Sequence, residues 1–221
     1  MFTAILIFGL LTVLTGFVFL RKNGPVILWI LLALNIISII NEQLLTEYCW
    51  HWWHIQPNVF YNLYSLIDML VWFLVFYTVF YRVPGIRYII FTTGIGVLCY
   101  SLAELFFIYN WSIFHSRSFL CFSGAMLLFS AVYFLNLQHK ESLHNLQKDY
   151  AIWLCAAAVC FHSVFFINLL TVIDPLYWSY PNTTRIFHTF QSLAIIIHYL
   201  FICIAFISSR YRPEQIPSPR T

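Results

Sequence analysis

Apolar residues gather in seven long runs, near residues 2–20, 25–45, 59–81, 86–108, 118–138, 150–173 and 186–209. Short polar or aromatic connections separate them. Each run approaches the ~20 residues that cover ~30 Å of hydrocarbon at about 1.5 Å per residue. Backbone amides in lipid have no water to bond, so a run of this kind must close its own hydrogen bonds as a helix. The pattern therefore predicts an all-α chain, a seven-transmembrane-helix bundle occupying residues 1–209 as one domain. The segment 210–221, "RYRPEQIPSPRT", is proline-containing and polar and is expected to form a disordered cytoplasmic tail.

Composition agrees: 62% of the 221 residues are hydrophobic and only 9% are charged, against about a quarter charged in soluble domains. The first run lacks a basic segment before it and a small-residue cleavage site after it, so it reads as a span and not a secretory signal. Basic residues sort by connection. Arg21, Lys22, Arg82, Arg87, Lys140, Lys148, Arg210, Arg212 and Arg220 fall on one side, and only Arg117 and Arg185 on the other. The positive-inside rule then puts the N-terminus outside and the C-terminus inside. The net charge of +3 thus reflects orientation and gives no reason to expect a nucleic-acid partner.

Polar residues within the runs carry the chemical information, because a charge at mid-bilayer costs at least ~2.5 kcal/mol and normally faces the bundle interior with partners. Counting inward at about 1.5 Å per residue puts Glu42, Asn62, Glu104, Asn168 and Gln191 about 4–8 Å below the outer boundary. Asn35, Asp68, His162 and His198 lie about 15–18 Å down. Helical spacing supports shared faces: Asn58, Asn62, Ser65 and Trp72 with Asp68 on the third run; Asn35, Ser38 and Glu42 on the second; Thr93, Tyr100 and Glu104 on the fourth. His188, Gln191, Ser192, His198 and Tyr199 do the same on the seventh. The first and fifth runs hold fewer polar groups and are expected to face more lipid, their Gly9, Gly16, Gly124 and Ala125 serving close packing. The outer layer suggests an outward-facing ligand pocket of Glu42, Asn62, Ser65, Glu104, Asn168, His188 and Gln191. Asn35, Asp68, His162 and His198 form a midplane switch or proton relay below it. Bridging hydrogen bonds between helices are the plainer account of the same residues.

The connection "EYCWHWWHIQPN" (Glu47–Asn58) is rich in tryptophan, as interfacial segments are. Its Cys49, His51 and His54 are also a thiolate and two imidazoles, a donor set suited to zinc or copper, though the spacing matches no structural zinc motif. Cys49 and Cys121 both fall near the outer surface, where a disulfide between them is geometrically open. No cofactor is expected: a covalent haem pattern is lacking, and the seventh run holds no lysine for a retinal Schiff base.

The overall plan resembles opsin- and receptor-type seven-helix proteins, without their D-R-Y, N-P-x-x-Y or retinal-lysine motifs. The third run, with Tyr61, Asn62, Tyr64, Ser65, Ile67 and Asp68 in a Y-N-x-Y-S-x-I-D pattern, resembles an uncharacterised group of bacterial seven-helix membrane proteins. That resemblance covers about one run of seven and implies a multi-pass protein of the bacterial inner membrane. One sequence offset also lays Phe60 on Phe187, Ser65 on Ser192, Asn41 on Asn168 and Asn35 on His162, a pattern parallel-repeat transporters show.

Three functions follow as expectations. The first is a sensor-like or receptor-like protein that binds a small ligand from outside and signals to a separate cytoplasmic or membrane protein partner. The second is a small-solute transporter with an Asp/His proton relay, and the third a membrane-embedded metal-dependent enzyme using Asp68, His162 and His198. The partners expected are the lipid bilayer, a small ligand and that protein, with a homo-oligomer compatible with the pattern.

Overall fold

The computed structural model of the chain describes residues 2–20, 24–41, 57–108, 111, 113–138, 148–172 and 181–210, with the backbone alone for 2, 57, 138, 171–172 and 181–188. Among these residues there are seven helices and no strand: α1 (Phe2–Phe19), α2 (Val26–Ile40), α3 (Pro57–Val79), α4 (Pro84–Ala103), α5 (Ser116–Gln138), α6 (Tyr150–Val172) and α7 (Pro181–Ser208). α4 runs on into a π-helical turn, Glu104–Ile108. Five stretches are long and apolar enough to cross a bilayer: Asn58–Val79, Pro84–Ile108, Ser116–Leu137, Tyr150–Leu170 and Thr189–Ser208. Two shorter apolar helices, Thr3–Phe19 and Val26–Ile40, accompany them. The chain is a multi-pass integral membrane protein.

Several helices begin before the apolar runs do, because their starts are set by backbone chemistry. Pro57, Pro84 and Pro181 open α3, α4 and α7, where the missing N–H costs nothing and the fixed φ suits the first turn. α6 starts at a carboxylate: Asp149 Oδ1 accepts the Ala151 N–H at 3.0 Å, and Oδ2 accepts the Tyr133 hydroxyl at 3.0 Å. That one side chain caps α6 and ties it to the last turns of α5.

Each helix packs against its chain neighbours, α1 closes the ring onto α7, and α3 also touches α5. α4 therefore sits outside the α3–α5 corner. The sequence pattern assigned lipid to the fifth helix and the interior to the fourth, and the packing reverses them. α5 buries Ser118, Phe119, Phe122, Ser123, Met126, Phe129, Ser130 and Tyr133. α4 turns Tyr88, Ile89, Phe91, Ile95 and Leu102 outward. The reason is that the buried serine hydroxyls of α5 all find partners, Ser130 at the Met126 carbonyl, Ser118 at the His115 carbonyl and Ser123 at His162 of α6, so this helix can be buried with few visibly polar residues.

Helix association in lipid depends on packing and hydrogen bonds, since lipid tails are as apolar as leucine. Small residues supply the close approach. A Cβ on Gly16 would meet Leu32 and Phe206, and one on Gly9 would meet Ile39, so both face the α2 and α7 side. Thr12, between them on α1, donates its hydroxyl to the Phe8 carbonyl and accepts from Cys203 of α7. Arg210 donates to the Val18 carbonyl at 2.9 Å, which brings the last residues of α1 and α7 to the same end. At the α3–α4 contact a Cβ on Gly94 would stand 3.0 Å from the Phe73 ring. That ring is itself held against Phe122 and Phe129 and has no room to retreat. Gly94→Leu is therefore expected to destabilise the chain by about 2 kcal/mol or more through overpacking, read as a lowered midpoint in detergent-titrated unfolding. Gly96, with open space around its Cβ position, is the control: Gly96→Leu should leave that midpoint within error.

Candidate functional site

A cavity of about 300 Å³ lies between α2, α3, α5, α6 and α7. Spacing explains how one helix serves it. On α3, Tyr61, Tyr64, Ser65, Asp68 and Trp72 follow steps of three and four residues and so project from one face. α2 adds Asn35 and Ser38, and α7 adds Gln191, His198 and Tyr199. Phe119, Phe161 and Phe165 complete an aromatic wall. On the side toward Arg82 and Arg210 the space is filled: Leu28, Phe76 and Phe206 are fully buried in a continuous apolar core with Phe129 and Tyr133. The cavity is one-sided.

Within it, Asp68 and Trp72 line the same face one turn apart on α3. Trp72 also stands 5.7 Å from the His198 ring, so acid, indole and imidazole form a continuous floor. His198 Nδ1 lies 3.1 Å from the Ala157 carbonyl. A carbonyl only accepts, so that nitrogen carries the proton and a neutral ring leaves Nε2 as an acceptor. Asn35 donates to the Leu31 carbonyl at 2.7 Å and keeps its own oxygen for other uses. Gln191 Oε1 accepts from Asn168 Nδ2 at 3.2 Å, a bridge between α6 and α7 at the cavity's edge.

Of the residues the sequence pattern put in a pocket or switch, the structure brings Asn35, Ser65, Asp68, Gln191 and His198 together around this cavity. Four others, Asn62, Glu104, His162 and Asn168, do not line it. Asn62 secures the connection before α5: its amide donates to the Trp111 and Ile113 carbonyls, both at 2.9 Å, and its oxygen accepts the His115 N–H at 3.4 Å. Glu104, fully buried, spans the α4–α5 connection. Its Oε2 accepts the Ser118 N–H at 2.8 Å and its Oε1 the Arg117 N–H at 3.3 Å, so it caps α5. His162 lies behind the wall. Its ring is edge-on to Trp72, Phe122 and Phe161, Nδ1 is 3.2 Å from the Ser123 hydroxyl, and Nε2 is buried without a partner. Asn168 reaches the cavity only through Gln191. Glu42, the side chain of His188, and Cys49, His51 and His54 lie outside the described residues, as does one half of the Cys49–Cys121 pairing; Cys121 itself is exposed.

Ser65 joins the cavity to its rim. Its hydroxyl donates to the Asn62 carbonyl at 2.9 Å and lies 2.8 Å from His115 Nε2, which with its proton on that nitrogen donates to the Ser65 oxygen. His115 stacks on Phe114, which lines the cavity. Burial pushes the His115 imidazole down to about 4, against the opposing pull of Glu104, so the ring is neutral at pH 7. Among the described residues no three His, Cys, Asp or Glu side chains approach closely enough to hold a metal ion, and Asp68, His162 and His198 are not such a group. The wall residues Tyr61, Tyr64, Phe161 and Phe165 were missed by a search for polar groups. On α3 the signal was available, since both tyrosines fall on the Ser65–Asp68 face. Comparison with known protein families, characterised proteins and solved structures gives no match.

Proposed function

We propose that this chain is a receptor-like or sensor-like membrane protein that binds a small ligand in the cavity between α2, α3, α5, α6 and α7. A separate protein partner reads the outcome. The observation that carries this reading is the one-sided cavity itself. Its volume of about 300 Å³ sits at the small end of ligand pockets, and aromatic walls with a few convergent polar groups are what such pockets use. All seven helices are taken as spans, with the N-terminus outside, the C-terminus inside and the cavity nearer the outer face. The basic-residue asymmetry supports that orientation, and the shared end of α1 and α7 suits an odd number of spans. The resemblance of the α3 motif favours a bacterial inner membrane.

The same geometry supports a coupling route. A ligand touching Ser65 or Phe114 would disturb the Asn62–Ser65–His115 hydrogen bonds, and so act on the connection that Asn62 secures. Transport through the same space is the second reading, supported by Asp68 and His198 facing one cavity. It requires the rings of Phe76 and Phe206 to move aside, and these are fully buried. The test is ligand-dependent stabilisation of the purified chain across a panel of small organic solutes. A binder at 100 times its dissociation constant raises the unfolding free energy by about 2.7 kcal/mol, and Ser65→Leu, which fills the cavity, should abolish that rise. Solute flux into liposomes containing the chain alone would transfer support to the transport reading.

A further inference from the structure

The cavity's chemistry is asymmetric in a way that selects a class of ligand. Among the described lining residues Asp68 is the one carboxyl group, and none is a lysine or arginine. An ionised carboxylate at this depth is costly unless something positive or strongly donating faces it. The neighbouring polar groups include acceptors: with one Asn35 N–H given to Leu31 and the His198 Nδ1 proton given to Ala157, Asn35 Oδ1 and His198 Nε2 are left to accept. Around them stand the faces and edges of Tyr61, Tyr64, Trp72, Phe161 and Phe165. Rings present a negative quadrupole, which attracts a desolvated cation held within about 6 Å.

From this combination we propose that the cavity binds an organic cation, an alkyl- or arylalkyl-ammonium, with its nitrogen at Asp68 and its apolar part against the rings of α3 and α6. The inference rests on the binding reading above. A carboxylate, acceptors at Asn35 Oδ1 and His198 Nε2, and an aromatic wall supply charge, hydrogen bonds and dispersion to such a ligand together. A carboxylate-bearing or phosphate-bearing ligand would meet Asp68 with like charge and find no basic partner among the lining residues. The volume sets the size: a small arylalkylamine fits and a peptide does not.

The experiment is equilibrium dialysis of labelled probes against the full chain in lipid nanodiscs, with empty nanodiscs subtracted. 2-Phenylethylamine is compared with its neutral isostere 2-phenylethanol and with tetraethylammonium. The expected result is that the amine binds about tenfold or more tightly than the alcohol. That preference should disappear in Asp68→Asn, while residual alcohol binding reports that the variant is folded. Tetraethylammonium binding comparable to the amine assigns recognition to the rings. Amine binding alone assigns it to N–H donation to Asp68, and either supports the proposal. Equal saturable binding of amine and alcohol to the wild-type chain overturns the charge selection and leaves the cavity a binding site. Absence of saturable binding by all three probes overturns this proposal, while stabilisation by another solute in the panel would keep the binding reading standing.

Discussion

Trp72→Ala is expected to lower the unfolding free energy by about 3–5 kcal/mol, the cost of emptying a buried tryptophan site. Trp72 is 2% exposed and does three things at once. Its ring separates the cavity from His162, edge-on at 6.2 Å, and packs against Phe76 at 6.4 Å on the filled side. The indole also forms the cavity floor beside Asp68, one turn back on α3. Alanine leaves a void where the ring met the filled core and the cavity. Trp72→Phe keeps an aromatic ring in the site and loses only part of the volume, and should cost about 1–2 kcal/mol. The measurement is chemical unfolding in bicelles followed by far-UV circular dichroism, in wild type and both variants. A Trp72→Ala chain that unfolds with the wild-type midpoint would refute the account of the cavity floor.

The helices were legible in the sequence because bilayer thickness imposes a length on them that no soluble helix has to meet. The shared faces of α3, α2 and α7 were legible too, since helical periodicity alone puts Ser65 with Asp68, Asn35 with Ser38, and Gln191 with His198 and Tyr199. What periodicity does not reveal is which helix faces which. Glu104 and Asp68 look alike as lone acids in apolar runs, yet one lines the cavity and the other caps a neighbouring helix. The difference lies in the connection. Glu104 opens a π turn that carries Phe106 and Phe107 outward while keeping the carboxylate inside, and the turn ends close to the first amides of α5. A chain position gives depth but not azimuth. Depth is what made Asn62, Glu104 and Gln191 seem to form one layer. His162 illustrates the same limit: it shares its depth with Asp68 and His198, but the rings of Trp72, Phe119 and Phe161 stand between it and the cavity.

Glu104 therefore provides the substitution that separates scaffold from site. Its two oxygens accept the Arg117 and Ser118 amides, donors that no residue within α5 can satisfy because they belong to the first turn. A carboxylate there also meets the positive end of the helix dipole. Glu104→Ala orphans the buried Ser118 N–H and the partly buried Arg117 N–H, so a loss of about 2 kcal/mol is expected. Glu104→Gln keeps one acceptor and loses the charge, and should lie about midway. Since neither oxygen lines the cavity, both variants, measured below their unfolding transitions, should bind 2-phenylethylamine within about twofold of wild type, a change of less than about 0.5 kcal/mol. Asp68→Asn should show the opposite pattern, with amine binding lowered to the level of the alcohol and stability largely kept. The two acids thus exchange signatures in one pair of assays. A Glu104→Gln chain that keeps full stability and loses binding would mean that the acid reaches the ligand after all, and that the α4–α5 connection forms part of the pocket instead of its frame.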